Sequence, residues 1–378
     1  MKNLNDLPLV KNLTSSDLRG KRVFLRLDLN LPIVDGKVVD DFRLKRSLPT
    51  IRFLLERGAR VIIASHLGGA GESLAPIASA LGKFIPVEFA DAWDGVEEKA
   101  AEVKAGHALL LENLRQDPGE EGNDKAFAKR LAALADLYIN DAFAASHREH
   151  ASIVGVAKLL PNYLGLIFEE EVRELSLAFT PNHPFLLILG GAKFGTKLPL
   201  VQKFLPIADR IFLGGALAHS FFQSKGYELG RSLVEKDVSM ESLVNEPKII
   251  LPSDVRVQNG ERVFIKRPTE LVPEDKILDM GLESVEKLLL EISRAKLILW
   301  NGPLGSYEQG WRGGTDAVAR FIAASNAHSI VGGGDTIASI QSLNLLDQFN
   351  FVSTGGGAML DFLATGTLPG LEAITHHS

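Results

Sequence analysis

The sequence of 378 residues contains no cysteine. This excludes disulfide bonds, thiolate nucleophiles and cysteine-ligated zinc or iron–sulfur centres, and it agrees with a reducing, cytoplasmic setting. No run of about 18 apolar residues occurs, so no membrane-spanning helix is expected. The opening Met-Lys-Asn-Leu-Asn-Asp-Leu-Pro lacks the apolar core of a signal peptide. An excess of basic charge is missing as well. The formal net charge is −6, which argues against a nucleic-acid partner. No Gly-x-Gly-x-x-Gly opens a helix after a strand, so the dinucleotide fingerprint is absent. His147 and His150 stand three apart with no further ligand grouping, too little for a zinc site. There is no low-complexity tract and no convincing internal repeat.

What the chain does have is an alternation of apolar, strand-like runs with amphipathic stretches of helical length. That alternation predicts parallel α/β architecture, and the length suggests about two or three domains. The first half offers strands at Arg22–Leu27, Arg60–Ala64, Ala108–Leu111 and Leu137–Ile139, with helices at Leu44–Glu56 and Asp124–Ala135. The second half offers strands at Phe185–Leu189, Arg210–Leu213, Lys248–Leu251, Lys296–Trp300, Ser329–Val331 and Phe351–Ser353. Its helices are read at Leu198–Phe204, Ser284–Ile292 and Thr315–Ala324. The strand ends differ between the halves. In the first they run into polar side chains: Asp28 and Asn30, Ser65 and His66, Glu112, Asn113 and Arg115, Asn140 and Asp141. In the second they run into glycine: Gly190-Gly191, Gly214-Gly215, Asn301-Gly302-Pro303, Gly332–Gly334 and Gly355–Gly357. Ligands of open α/β sheets bind outside the carboxyl ends of the strands. Each half should therefore carry its own site, one made of side-chain forks and the other of bare backbone. The charged, helical segment around Glu169–Leu175, broken by Thr180-Pro181-Asn182, reads as a linking helix between the halves.

Residues 185–198 form the most suggestive stretch. A buried strand, Gly190-Gly191 and a helix start carrying Lys193 and Lys197 four apart would suit an anion, although an ordinary turn with two solvated lysines reads the same. Arg43, Arg115 and Arg148 each lie just past a strand or at a helix start. Their forks could converge on one small anion, or each could be a solvated surface residue. His66 is either a hydrogen-bonded strand-end residue or a ligand contact. Gly332-Gly333-Gly334-Asp335-Thr336 suits nucleotide phosphates with a hard cation, or a tight turn with Asp335 or Thr336 as N-cap.

Taken together, these motifs resemble phosphoglycerate kinase, and in its order. They are Arg26-Leu-Asp28-Leu-Asn30, Asp41-Phe-Arg43, Ser65-His66-Leu67-Gly68, Glu112-Asn113-Leu114-Arg115 and Asn140-Asp141-Ala142-Phe143. Further along come His147-Arg148-Glu-His150, Gly190-Gly191-Ala192-Lys193, Trp300-Asn301-Gly302-Pro303, Gly332–Thr336 and Ser353-Thr354-Gly355-Gly356-Gly357-Ala358. The likeness runs from about residue 20 to Leu368-Pro369-Gly370. It implies two domains, each an open parallel β-sheet flanked by helices in Rossmann-like fashion. Residues 1–168 would bind the triose phosphate, completed by a tail at about 362–378. Residues 169–182 would link, and 183–361 would bind nucleotide. The implied reaction is the glycolytic and gluconeogenic exchange of a phosphoryl group between 1,3-bisphosphoglycerate and ADP, giving 3-phosphoglycerate and ATP with Mg²⁺.

The resemblance carries triose contacts onto Asp28, Leu29, Asn30, Arg43, His66, Leu67, Gly68, Gly69, Arg115 and Arg148. It carries nucleotide contacts onto Gly191, Lys197, Gly215, Asn301, Glu308, Gly333, Gly334, Asp335 and Thr336, with Asp335 near the magnesium. Arg43, Lys193, Gly356 and Gly357 would meet the transferring phosphoryl. A cytoplasmic monomer with no membrane or nucleic-acid partner is implied. The chain departs from the family pattern at Gly69, where an arginine is usual, and at Phe194-Gly195-Thr196, Ala216 and Asp361. The alternative reading is a catalytically weak relative that binds nucleotide or triose phosphate in a regulatory role.

Overall fold

The computed structural model describes residues 4–235 and 243–375. The chain divides into two compact units, Met1–Arg173 with Thr365–Ser378, and Glu174–Ala364. The boundary falls inside the helix Leu166–Ser176.

The strands of the first unit are β1 (Arg22–Arg26), β2 (Ile33–Val34), β3 (Lys37–Val38), β4 (Arg60–Ala64), β5 (Val87–Ala90), β6 (Ala108–Leu111), β7 (Leu137–Asn140) and β8 (Asn162–Leu164). Six of them form a sheet in the order β5-β6-β4-β1-β7-β8, every pair parallel. β2 and β3 make a small hairpin. The central strands are buried on both faces, as a parallel sheet covered by helices requires. The helix Phe42–Glu56 presents Leu44, Leu48, Ile51 and Leu54 to this core at helical spacing.

The second unit contributes β9 (Phe185–Leu189), β10 (Arg210–Leu213), β11 (Ile249–Ile250), β12 (Val255–Asn259), β13 (Arg262–Lys266), β14 (Lys276–Met280), β15 (Leu297–Asn301), β16 (His328–Gly332) and β17 (Phe351–Ser353). Its main sheet is again fully parallel, in the order β11-β10-β9-β15-β16-β17. Counting only these strands, this is the 3-2-1-4-5-6 order of doubly wound folds, with its topological switch between β9 and β15. The fold is thus Rossmann-like in order without the dinucleotide glycine fingerprint. A separate antiparallel sheet, β13-β12-β14, was not expected from the sequence. β12 mixes buried with solvated residues and β13 is solvated along almost its whole length, so neither reads as a strand buried on both faces. The short, partly exposed edge strand β5 was missed for the same reason.

Candidate active site

At the carboxyl ends of the first sheet the polar residues knit into one lattice. Arg43 Nη1 donates to Asp28 Oδ2 at 2.8 Å. Leu29 N donates to Ser65 Oγ at 2.9 Å, and Gly68 N to Asn30 Oδ1 at 3.2 Å. Arg115 Nη1 donates to Gly68 O. Asn113 organises the loop between these groups. Its Oδ1 accepts from Leu67 N and Arg115 N, and its Nδ2 donates to the carbonyls of Leu67, Gly69 and Glu72. Arg148 is exposed, and its Nε donates to His147 Nε2 at 3.2 Å.

Beneath this lattice lies Arg26, fully buried, a residue sequence reasoning gave no role of its own. Its Nε donates to Ser152 Oγ at 2.8 Å, and its Nη1 to Leu27 O. Ser152 in turn donates to Glu120 through N at 2.9 Å and Oγ at 2.6 Å, and Glu120 is as deeply buried as Arg26. Arg26 Nη2 lies 3.1 Å from His66 Nδ1. A guanidinium can only donate, so Nδ1 accepts and the ring proton of His66 sits on Nε2. Burial, then the charges of Arg26, Arg115 and Arg148, push His66 down to about 2. His66 is therefore a neutral, oriented donor within reach of three arginines. The signal for Arg26 was a charged residue closing an apolar strand. Asp141, by contrast, is structural: it accepts from Phe168 N at the start of the helix Leu166–Ser176, and burial raises it to about 6.

At the second sheet the switch point is closed by backbone. Gly190 N donates to Asn301 O at 2.9 Å, Gly191 N to Pro303 O at 2.7 Å, and Gly215 N to Leu304 O at 3.1 Å. Only glycine fits: a Cβ on Gly190 would lie 2.1 Å from Pro303 O, and Gly191 and Gly302 have φ of 85° and 96°. Lys197 is buried in this crevice and donates from Nζ to Gly190 O. Burial pulls it down to about 8; Asp335 opposes that shift and Lys193 adds to it. Lys193 precedes the helix Phe194–Phe204, exposed to solvent. Asn301 and Thr336 are buried, and Thr336 Oγ1 accepts from Gly302 N at 3.0 Å, bracing the turn. The helix Gly334–Ser342 has Gly333, φ 100°, at its cap position, so neither Asp335 nor Thr336 is the N-cap. Gly356, φ 54°, precedes the helix Gly357–Thr365.

A cavity of about 640 Å³ opens beside this crevice, the size of a small-molecule site. Of the expected residues it gathers Gly191, Gly215, Glu308 and Asp335. Its apolar walls, with Phe222, Leu278, Met280 and Leu304, went unrecognised because they come from separate stretches of chain. Among the described residues no cluster of three or more His, Asp or Glu could hold a metal ion by itself. No described helix is long and apolar enough to cross a membrane.

A family model described as phosphoglycerate kinase matches residues 13–366. A phosphoglycerate kinase of Thermus thermophilus is 43% identical, over 97% of this chain and 100% of its own length. The chain belongs to the phosphoglycerate kinase family. A second member, from Fervidobacterium nodosum, is 40% identical over 95% of this chain and 96% of its own. Among solved structures, phosphoglycerate kinase from Coxiella burnetii superposes with a TM-score of 0.84 at 35% identity. It covers 97% of this chain and 98% of its own. The enzyme from Pyrococcus horikoshii OT3 matches with the same TM-score and coverage at 33% identity. For a phosphoglycerate kinase, the two sheet edges divide as the sequence motifs do, side chains at one and glycine turns at the other.

Proposed function

We propose that this chain catalyses reversible phosphoryl transfer between 1,3-bisphosphoglycerate and ADP, yielding 3-phosphoglycerate and ATP. The reading is carried by one observation: the match to the phosphoglycerate kinase family spans nearly the whole chain, residues 13–366. In this reading Asp28, Leu29, Asn30, His66–Gly69, Arg115 and Arg148 hold the triose, with His66 Nε2–H donating to its anionic end. The cavity beside β9 and β15 takes the nucleoside, with Glu308 at its wall. Lys197 and the turns at Gly191, Gly215 and Gly333-Gly334 face the phosphates.

A transferring phosphoryl spreads negative charge over its equatorial oxygens, so the protein contributes positioning and positive potential rather than covalent chemistry. Lys193, Arg43 and the backbone N–H groups at Gly356-Gly357 supply that potential. No general base is required, because the attacking group is already an anion. Magnesium, when bound with the nucleotide, would be held on the protein side by Asp335. A single carboxylate, Asp335, fits a cation held mainly by phosphate oxygens, which would neutralise charge on them. Since different units hold the two ligands in this reading, transfer calls for the units to close as a hinge. A monomer working in the cytoplasm completes the proposal. The test is a coupled assay with 3-phosphoglycerate and Mg-ATP: turnover that saturates in both is expected, and binding of either without turnover would refute it.

A further inference from the structure

Much of the cavity wall is carbon, and carbon can pack against a flat ring without reading the groups on its edge. The helix Gly215–Ser224 adds one side chain that can read them. Gly215, Ala216, Ala218, His219 and Phe222 all line the cavity, which is one face of that helix at helical spacing. Its start belongs to the glycine turns: Leu217 N donates to Gly191 O at 3.1 Å. His219 lies four residues beyond Gly215, about 6 Å along the helix axis from those turns. Glycine and alanine at 215, 216 and 218 keep this face low, so the imidazole is the polar group that stands out from it.

The chemistry of that imidazole is fixed by its surroundings. His219 is only 6% exposed, and its Nδ1 lies 2.8 Å from Leu233 O. A carbonyl oxygen can only accept, so Nδ1 carries the proton and donates. Burial pushes the ring's pKa down to about 4, so near pH 7 this is its only exchangeable proton. Nε2 is then a bare lone pair. It has no hydrogen-bond partner among the described residues, yet it is not among their fully enclosed unpartnered atoms. On a buried side chain that lines the cavity, this leaves Nε2 open toward the cavity. Leu233 O is itself held in place. Two residues before it, Arg231 N donates to Asp275 O at 2.7 Å, and beside it Ser232 Oγ accepts from Ile277 N at 2.9 Å.

We propose that His219 selects the nucleobase: its Nε2 accepts a hydrogen bond from the exocyclic amino group of a 6-aminopurine, and the site disfavours 6-oxopurines. This rests on the nucleotide reading of the cavity and deepens it. A 6-oxo base would set an oxygen acceptor against a nitrogen acceptor. His219 can answer only by moving its proton to Nε2, which leaves Nδ1 and Leu233 O as two acceptors facing each other. A base with hydrogen at position 6 avoids that conflict but leaves Nε2 desolvated and unpaired. Both kinds of base therefore bind less well than adenine, for different reasons.

The test compares diphosphates that share ribose and phosphates and differ at position 6. ADP, inosine 5′-diphosphate and purine riboside 5′-diphosphate are titrated calorimetrically into the wild-type protein, His219→Phe and His219→Gln. The wild type is expected to bind ADP about tenfold more tightly than either analogue, the discrimination of one unpaired buried acceptor. In His219→Phe, ADP should fall to the level of the analogues, while the analogues do not weaken. In His219→Gln the amide can turn either its oxygen or its nitrogen to the base, so the preference for ADP over inosine diphosphate should narrow. Should His219→Phe fail to fold, His219→Gln carries the comparison. Equal binding of all three by the wild type would overturn the proposal while leaving the nucleotide site standing, and so would a preference for ADP undiminished in the variants. Failure of the wild type to bind any of the three would overturn both.

Discussion

In the proposed reading the two sheet edges solve the same problem, holding anions at strand ends, with opposite materials. At the first edge, charge is carried by side chains, and those side chains need support. Arg26, Glu120, Ser152 and Asn113 are buried mainly to orient the groups above them. At the second, the binding surface is backbone, drawn close by glycines whose Cβ would collide with neighbouring carbonyls. Side-chain sites gain geometric selectivity and incur desolvation of buried charge. The backbone turns themselves carry no such cost, although Lys197 buried in their crevice does, and they accept no side chain where the turn closes.

The strongest way to break the comparison is to remove the support from the first edge. Glu120→Ala leaves Arg26 buried without its carboxylate, 4.0 Å away, and strips Ser152 of both its acceptors. Breaking a buried pair from one side costs about 3–5 kcal/mol. Hydrogen exchange should speed up in β1 and β7 while β9 and β15 keep their protection. Uniform loss of protection in both sheets would show that the lattice is not local to the first edge.

Next in size is Lys193→Ala, which tests whether the second edge relies on backbone alone. Lys193 lies at the start of a helix, exposed, outside the cavity walls. In the proposed reading a cation there meets the moving phosphoryl rather than the resting nucleotide, so kcat should fall by several hundredfold, about 3–4 kcal/mol. The KM for ATP should stay within a few-fold. A near-normal kcat would leave the glycine turns to do the work without it.

How much of this was legible beforehand follows from burial. β4, β6, β9, β10 and β17 were read to the residue because their apolar runs are flanked by turn residues and largely buried on both faces. The helix Phe194–Phe204 starts four residues before the expected Leu198, because Gly195 and Thr196 give no amphipathic signal and the acceptor for its first turn is Glu235. Arg43 was singled out from its place at a helix start, and His66 and Arg115 from theirs just after strands. Arg26 and Glu120 acquire meaning only through each other, across a long stretch of sequence, and spacing cannot show that. The cavity's apolar walls were invisible for the same reason.

The third prediction uses pH to ask whether the backbone-built edge hides a charge-sensitive group. His219, buried beside the cavity, is pushed down to about 4 by desolvation. Its folded pKa lies below the unfolded value of about 6.5, so the unfolded chain binds the proton more readily. The stability it contributes is complete above about pH 6.5 and is lost as pH falls toward 4, by up to about 1.4 kcal/mol per pH unit. The difference in thermal stability between wild type and His219→Asn should therefore shrink over that window. A difference independent of pH would mean that His219 titrates normally in the folded state.

The smallest effect sharpens the first edge rather than breaking it. Gly69 stands where the family pattern carries an arginine, and its backbone is open: a Cβ there meets nothing within 4 Å, and its φ lies outside the left-handed region. Lys45 and Arg46, which follow Arg43 in sequence, could have filled the gap, but both are paired elsewhere, Lys45 with Asp41 at 3.0 Å and Arg46 with Glu170 at 2.8 Å. Arg115, within the lattice, already donates to Gly68 O and lies 3.0 Å from Glu121. Gly69→Arg should thus add a guanidinium to the triose side without displacing one. A charge-assisted hydrogen bond contributes about 1.5–3 kcal/mol before the arginine's lost rotamer freedom, up to about 2 kcal/mol, is subtracted. The net expectation is a several-fold lower KM for 3-phosphoglycerate, with kcat and the KM for ATP unchanged. Steady-state kinetics decides it. An unchanged or raised KM would mean that the lattice of Asn113, Arg115 and Gly68 already presents all the positive potential the triose can use.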